Sequence, residues 1–326
     1  MSISAYAAFS KSDKIRFKSS SGGLFSEFAK YIYYSGGYVV GAAFDKDFKS
    51  ISHIITDNPD ELDRLTGSKY LQSKFSIHKE IKEILENGKT VLCCGTPCQI
   101  AGLKSYLKSD YENLITIDFI CHGTPIQKVW KKYLEWQEGL HKSSVISVNF
   151  RSKENGWSNY LLLLLFTNGK KYAQTSDKDP YMQLFLSDMC LNRNCYNCQF
   201  KGKNRQSDIT LGDFWGIDNI APDLNDSEGI SFLSINTQKG KELLNNIKSN
   251  IFLTEVDEEI AFSYNVAAIK SASQPDCYNN FIKDLEAMPF NKLARKYIRK
   301  SPIKKRLKKY KLIKIGIKIR DNLLKR

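Results

Sequence analysis

The chain has 326 residues, 42% of them apolar, which is enough to bury one large core. Its formal net charge of +14 is confined to one end: from Lys292 to Arg326, sixteen Lys and Arg face one acid, Asp321, and the remainder is close to neutral. Neither a disordered chain nor a membrane-spanning one fits, because no apolar run approaches the roughly 18 residues that cross a bilayer.

The N-terminal segment MSISAYAAFSKSDKIRFKSSSGG lacks the basic-then-apolar pattern of a secretory signal. A reducing, cytoplasmic compartment is therefore expected, where clustered cysteines read as metal-binding or redox-active. After the Ser- and Gly-rich SSSGG, a helix is predicted at Leu24–Tyr34, then strands at Tyr38–Phe44 and Ser50–Thr56. Asn58-Pro59 opens a short helix, since Asn caps and Pro fits the first turn. Residues 76–87 place Ile77, Ile81, Ile84 and Leu85 on one helical face. A buried-type strand at Thr90–Cys94 turns through GTP into a helix beginning near Pro97, and a second, Leu114–Cys121, leads through HGTP into a helix over Ile126–Leu140. This β-α-β-α order predicts an α/β core with a partly parallel sheet flanked by helices.

Beyond it, Val145–Lys153 and Tyr160–Gln174, turning at Asn168-Gly169, read as an antiparallel meander, an α+β feature. A helix at Pro180–Met189 leads into a cysteine-rich loop at 190–198. Ile230–Asn236, a helix near 238–248 and a strand at 251–256 complete a body set at residues 1–291, with 292–326 as a basic tail.

Four of eight cysteines lie in turn-forming contexts: Cys98 in CCGTPCQ, Cys121 in ICHG, and Cys195 and Cys198 in NCYNC. Thiolate is a soft ligand, and four complete an iron–sulfur or a zinc site. The spacing lacks the two matched pairs of a zinc ribbon or finger, which places zinc second. Cys190 is a reserve ligand, whereas Cys93 and Cys277 read as small buried hydrophobes. If their strands are parallel neighbours, Cys98 and Cys121 emerge at one carboxyl edge, where open α/β sheets bind ligands.

Other segments carry weaker signals. Ser19–Phe28 runs a glycine loop into a helix N-terminus, a place for phosphate or simply a helix start. Lys69, in GSKY at 67–70, is either solvated or a contact for a phosphate or flavin ring. Ser207–Ile217 ends an apolar strand in Gly212-Asp213-Phe214-Trp215-Gly216, aromatics that serve as core or as cover for a redox centre. Phe150–Tyr160, with Arg151, Lys153 and Trp157, reads as a polar hairpin loop ahead of an anion contact, and His53 and His122 read as structural.

Taken together, the SGG loop, GSKY, GTPCQ, a cysteine closing the next strand, and a C-x-x-C followed by a DIT-x-G turn resemble the coenzyme F420 hydrogenase/dehydrogenase beta-subunit family. The resemblance implies FAD, one 4Fe-4S cluster, and an oxidoreductase that moves electrons between them. It implies Cys98, Cys121, Cys195 and Cys198 as cluster ligands. It places Ser21, Gly22, Gly23, Lys69 and Tyr70 on flavin-binding motifs, with Asp208 and Gly212 on the turn beyond the C-x-x-C. No cysteine precedes Cys93, so the ferredoxin-like module of some members is expected as a separate electron carrier or redox subunit. The CLNRNCYNCQFKG and GDFWG forms are similar to a bacterial branch encoded with polysaccharide-biosynthesis enzymes. The basic tail fits peripheral contact with an anionic membrane surface, and no motif for reading nucleic acid accompanies its charge.

Overall fold

The computed structural model describes residues 4–298. The strands are β1 (Ser4–Ser10), β2 (Tyr38–Phe44), β3 (Ile51–Thr56), β4 (Ser73–Lys74), β5 (Val91–Gly95), β6 (Leu114–Phe119), β7 (Val145–Ser152), β8 (Leu161–Phe166), β9 (Lys171–Thr175), β10 (Ile209–Asp213), β11 (Ser231–Ile235) and β12 (Ile251–Val256). Nine of them form one mixed sheet in the order β12-β1-β11-β10-β6-β5-β2-β3-β4. At its centre β2, β5, β6 and β10 run parallel, with Cys93 opposite Thr116 and Ile117 opposite Ile209. Strands β1, β11 and β12 extend one side antiparallel, while β3 pairs antiparallel with β2 on the other.

Parallel strands must be covered on both faces, which accounts for their nearly unbroken apolar runs. On one face the helices Leu24–Tyr34 and Gln238–Ile247 bury Leu24, Phe28, Ile32, Leu243 and Ile247 against Val39, Leu92 and Ile117. On the other, His78–Glu86 and Pro97–Leu107 bury Ile81, Leu85, Ile100 and Leu103 against Val40, Val91 and Cys93. Each large apolar side chain buried in this way contributes about 1.5–3 kcal/mol. The helix at Pro97 starts on a capping box, with Thr96 and Gln99 exchanging side-chain and backbone hydrogen bonds and Pro97 in the first turn.

The expected meander is a separate antiparallel sheet, β7-β8-β9. Its apolar face packs with the helices Gln127–His141 and Pro180–Leu186 around Trp130, Phe150, Leu162, Tyr181 and Phe185. Two further helices, Tyr278–Ala287 and Phe290–Ile298, join this core through Phe281, Leu285, Phe290, Leu293 and Tyr297. The second of them crosses the 291/292 boundary drawn from charge, since its apolar positions pack inward while Arg295 and Lys296 stay exposed. The remainder of the basic stretch, 299–326, and the membrane contact expected of it lie outside the described residues. Among those residues no helix is long and apolar enough to cross a membrane.

Candidate functional site

The four parallel strands end at one edge, and the loops leaving them surround a cavity of about 590 Å³. That volume suits a large organic ligand. Its walls come from the Ser19–Ser26 segment, the 65–71 loop, Cys94, the 119–124 loop, Arg151, Tyr160, Gly212–Asp213, Trp215 and the 265–272 segment.

The glycine loop supplies an anion-ready end. Gly23, with φ +88°, is the N-cap of the helix Leu24–Tyr34, and no side chain caps that helix. Its first amides line the cavity, the arrangement that attracts phosphate. Ser19 Oγ lines the same end, buried and without a hydrogen-bond partner among the described residues. Ser21 lines the wall, but its hydroxyl donates to the Ile230 carbonyl at 2.7 Å. Gly22 faces away from the cavity: its amide donates to Ser231 Oγ at 2.9 Å, and a Cβ there would come within 2.5 Å of the Ala8 carbonyl. Its need for glycine is thus close strand packing.

Lys69 is held rather than freely solvated. Its ammonium donates to the carbonyls of Leu65, Thr66 and Gly67 at 3.2, 3.0 and 3.3 Å, closing the end of the helix Leu62–Leu65. Burial in the wall lowers its pKa to about 8. Tyr70 packs on Phe150 and Phe185 and accepts from Arg151 Nη1 at 3.3 Å.

Of the two residues on the turn beyond the C-x-x-C, Gly212 lines the cavity, where a Cβ would meet Ile120 Cδ1 at 2.7 Å. Asp208 stands apart, at the amino end of β10. It accepts from the Thr116 amide and hydroxyl at 2.7 and 2.6 Å and from Thr237 Oγ1 at 2.7 Å. These bonds pin β6, β10 and the helix Gln238–Ile247 together at the edge opposite the cavity.

Cys98 occupies the first turn of its helix, exposed, with its sulfur 3.1 Å from Thr96 Oγ1. Cys121 follows β6 and forms part of the cavity wall. Its thiol is pushed up to about 12, first by burial and then, against the nearby Lys201 ammonium, by the thiols of Cys195 and Cys98. Thr124 donates its amide to Cys195 Sγ at 3.4 Å, so the 121–124 loop lies against the C-x-x-C segment. Cys198 is fixed through its amide, which donates to Ser271 Oγ at 3.0 Å, and Ser271 itself lines the cavity. Lys201 clasps this region by donating to the Cys121 and Ala267 carbonyls. Cys190 is buried in the apolar core with Tyr181 and Leu191, on another side of its loop. Among the described residues no three His, Cys, Asp or Glu side chains converge as ligands of one metal ion. The neighbouring thiols of Cys98, Cys121 and Cys195, together with Cys198 of the same C-x-x-C segment, instead offer soft donors on three separate loops, a donor chemistry that fits an iron–sulfur cluster.

Two family models match the chain, both of the coenzyme F420 hydrogenase/dehydrogenase beta subunit: the N-terminal model over residues 5–77 and the C-terminal model over residues 88–260. The chain belongs to the coenzyme F420 hydrogenase/dehydrogenase beta-subunit family. Its fold is also similar to a chain in the F420-reducing NiFe hydrogenase complex from Methanosarcina barkeri, studied by xenon derivatization, with a TM-score of 0.55, 14% identity and 90% of each chain covered. Comparison with curated proteins gave no match. Membership of this beta-subunit family places the chain among the oxidoreductases.

In this family member the prominent charged element of the cavity is one that reads in the sequence as a polar loop. The Arg151 guanidinium, only 4% exposed, donates to Asp213 Oδ2 at 2.8 Å and lies 4.0 Å above the Tyr160 ring. Trp157 Nε1 donates to Asp213 Oδ1 at 3.1 Å, and its ring stacks on Trp215 at 5.1 Å. Lys153 is buried too. Its ammonium donates to the carbonyls of Arg16, Ser21 and Glu228, each at 2.6 Å, and burial, then Arg16 and Arg151, lower its pKa to about 7. The ENGW turn pattern conceals both roles, because they depend on partners far away in the chain.

Both histidines gain partners. His53 Nε2 lies 3.1 Å from the Cys94 carbonyl and its ring stacks on Phe75, and burial lowers its pKa to about 4. His122 Nε2 stands 2.7 Å from Asp188 Oδ1, with its ring edge-on to Phe185, in the cavity wall.

Proposed function

We propose that this chain is a flavin-dependent iron–sulfur oxidoreductase, with FAD in the cavity and a 4Fe-4S cluster on Cys98, Cys121, Cys195 and Cys198. The observation that carries the reading is that Cys121, which shares its surroundings with Cys98 and Cys195, is also part of the cavity wall. A flavin and a cluster held there would be neighbours. When bound, a flavin exchanges electrons in pairs and a cluster singly, so together they couple a two-electron donor or acceptor to a one-electron carrier.

The chain's own residues have four tasks in this reading. The uncapped amides at Gly23–Ser26 and the unpartnered Ser19 hydroxyl bind an anionic group such as a diphosphate. Lys69 supplies a fixed cation in the wall, which favours an electron-rich ring beside it. Arg151, locked by Asp213 and Tyr160, shapes the wall near Ser20, whose carbonyl accepts from it at 3.4 Å. Trp215 and Phe119, both partly exposed, shield the mouth from water. A separate ferredoxin-like carrier is the one-electron partner.

The CLNRNCYNCQFKG and GDFWG forms support placing the redox step in polysaccharide biosynthesis. The test of the central reading is anaerobic purification followed by iron, sulfide, zinc and flavin analysis. Four irons with one FAD per chain is the expected result, and stoichiometric zinc without iron or flavin refutes it.

A further inference from the structure

The four thiols of the proposed cluster are not equivalent. Cys121 lines the cavity, whereas Cys98 is exposed on the first turn of its helix. The cluster site therefore has an inner side toward the cavity and an outer side toward solvent. Two hydrogen bonds tie neighbouring segments together here: at the cavity wall Gln99 Nε2, next to Cys98, donates to Ser73 Oγ at 2.8 Å, and Asn192 Nδ2 donates to Gln72 Oε1 at 2.9 Å. The loop at 72–74, the start of the Cys98 helix and the loop before Cys195 thus lie side by side.

The charges on these segments have one sign. Residues 66–77, 87–109, 119–134 and 189–207 contain no Asp or Glu, although they carry every proposed ligand and many Lys and Arg. Lys74 and Arg193 are exposed, and Arg193 donates to the neutral Asn279 side chain, at 3.2 Å. By contrast Lys203 is matched by Glu259, and Lys128 by Glu286. Charge of one sign at a rim steers partners of the opposite sign and sets the encounter rate.

We propose that an acidic electron-carrier protein docks on the face formed by Cys98, Lys74 and Arg193. The inference rests on the flavin–cluster reading above and adds the surface and the sign of the partner's charge. In each encounter one electron crosses between the cluster and the carrier's metal centre, one being oxidised as the other is reduced, and no atom or proton changes place.

The experiment is titration calorimetry of the full-length protein, purified anaerobically, against an acidic plant-type ferredoxin and against a basic cytochrome c, at low and high salt. The variants are Lys74→Glu/Arg193→Glu and, as a charge-matched control at two exposed lysines in and just after the helix Gln238–Ile247, Lys241→Glu/Lys248→Glu. Expected are salt-sensitive binding of the ferredoxin, affinity at least about tenfold lower in the first variant, and no more than about a twofold change in the control. Because the control carries the same net charge, it separates this face from general attraction to the basic chain. Equal affinities of the two variants, or binding of the basic carrier in place of the acidic one, overturn the proposal. Iron, sulfide and flavin are assayed on the same samples: their absence refutes the cofactor reading and this inference together, whereas a loaded protein that ignores the ferredoxin refutes the docking face alone.

Discussion

Arg151 at the end of β7 and Asp213 at the end of β10 join the two sheets through Nη1 and Oδ2, 2.8 Å apart, with the arginine side chain 3% and the aspartate 17% exposed. The pair is thus a buried cross-brace at the cavity wall. Removing one partner of a buried pair strands the other charge, typically at about 3–5 kcal/mol. Arg151→Met should therefore lower stability by that order and loosen flavin retention. In urea denaturation, Arg151→Met/Asp213→Leu should be less destabilised than the sum of the single variants. Simple additivity would mean that the two groups do not act as a pair.

Single replacement of Cys98, Cys121, Cys195 or Cys198 by Ala should abolish iron binding, read as iron and sulfide content and visible absorbance. Cys190→Ala, deep in the core, should lower stability by about 1–2 kcal/mol yet keep the iron. Loss of iron from Cys190→Ala with retention in Cys121→Ala would reassign the ligand set.

Lys69→Met removes a cation from the cavity wall and uncaps the carbonyls of Leu65, Thr66 and Gly67. The flavin reduction potential should fall and FAD affinity should weaken, measured by redox titration and equilibrium dialysis. An unchanged potential would leave Lys69 as a helix cap alone.

Lys153→Met leaves the carbonyls of Arg16, Ser21 and Glu228 without their shared donor, at about 1–3 kcal/mol for each that stays buried and unpaired. Amide exchange at residues 16–23 and 226–230 should accelerate more than exchange in β5 and β6. Uniform acceleration would point to global destabilisation instead.

His53 is held neutral by burial, with a folded pKa of about 4 against an ordinary value of 6.5. Between those values the unfolded chain binds a proton that the folded one refuses, so stability falls as pH drops from 6.5 toward 4. The full difference amounts to about 3 kcal/mol. His53→Gln, which keeps a donor toward the Cys94 carbonyl, should flatten this acid limb in denaturation curves taken from pH 7 to 4.5. An unaltered slope would assign the acid sensitivity to other groups.

The central strands were legible because parallel strands buried on both faces are written as apolar runs, as in Val91–Gly95 and Leu114–Phe119. Strand β1 was not, since Ala5, Ala7 and Ala8 are small residues with little strand preference, chosen for close packing between β11 and β12. The short helices Glu258–Ser263 and Val266–Ile269 carry too few turns to reveal a period. At the site, the strand–turn–helix rhythm was enough to bring Cys98 and Cys121 to one edge. It could not separate Asp208 from Asp213: the first is a carboxylate just before β10 and the second closes it, and only strand direction puts the second at the cavity and the first at the far edge. Arg151 escaped for a related reason, because its burial comes from Asp213, Tyr70 and Tyr160 and not from its own neighbours in sequence.

The stacked indoles of Trp157 and Trp215, 7° from coplanar, give the molecule an optical property as well as a mechanical one. The chain has four tryptophans, and Trp130 and Trp136 belong to the core beneath the three-stranded sheet. Half of its indoles therefore form one stacked pair, with Trp215 in the cavity wall. Any flavin-like ring system entering the cavity becomes an energy acceptor for that pair, so ligand arrival can be followed in real time by the protein's own fluorescence, without a label and before any electron moves.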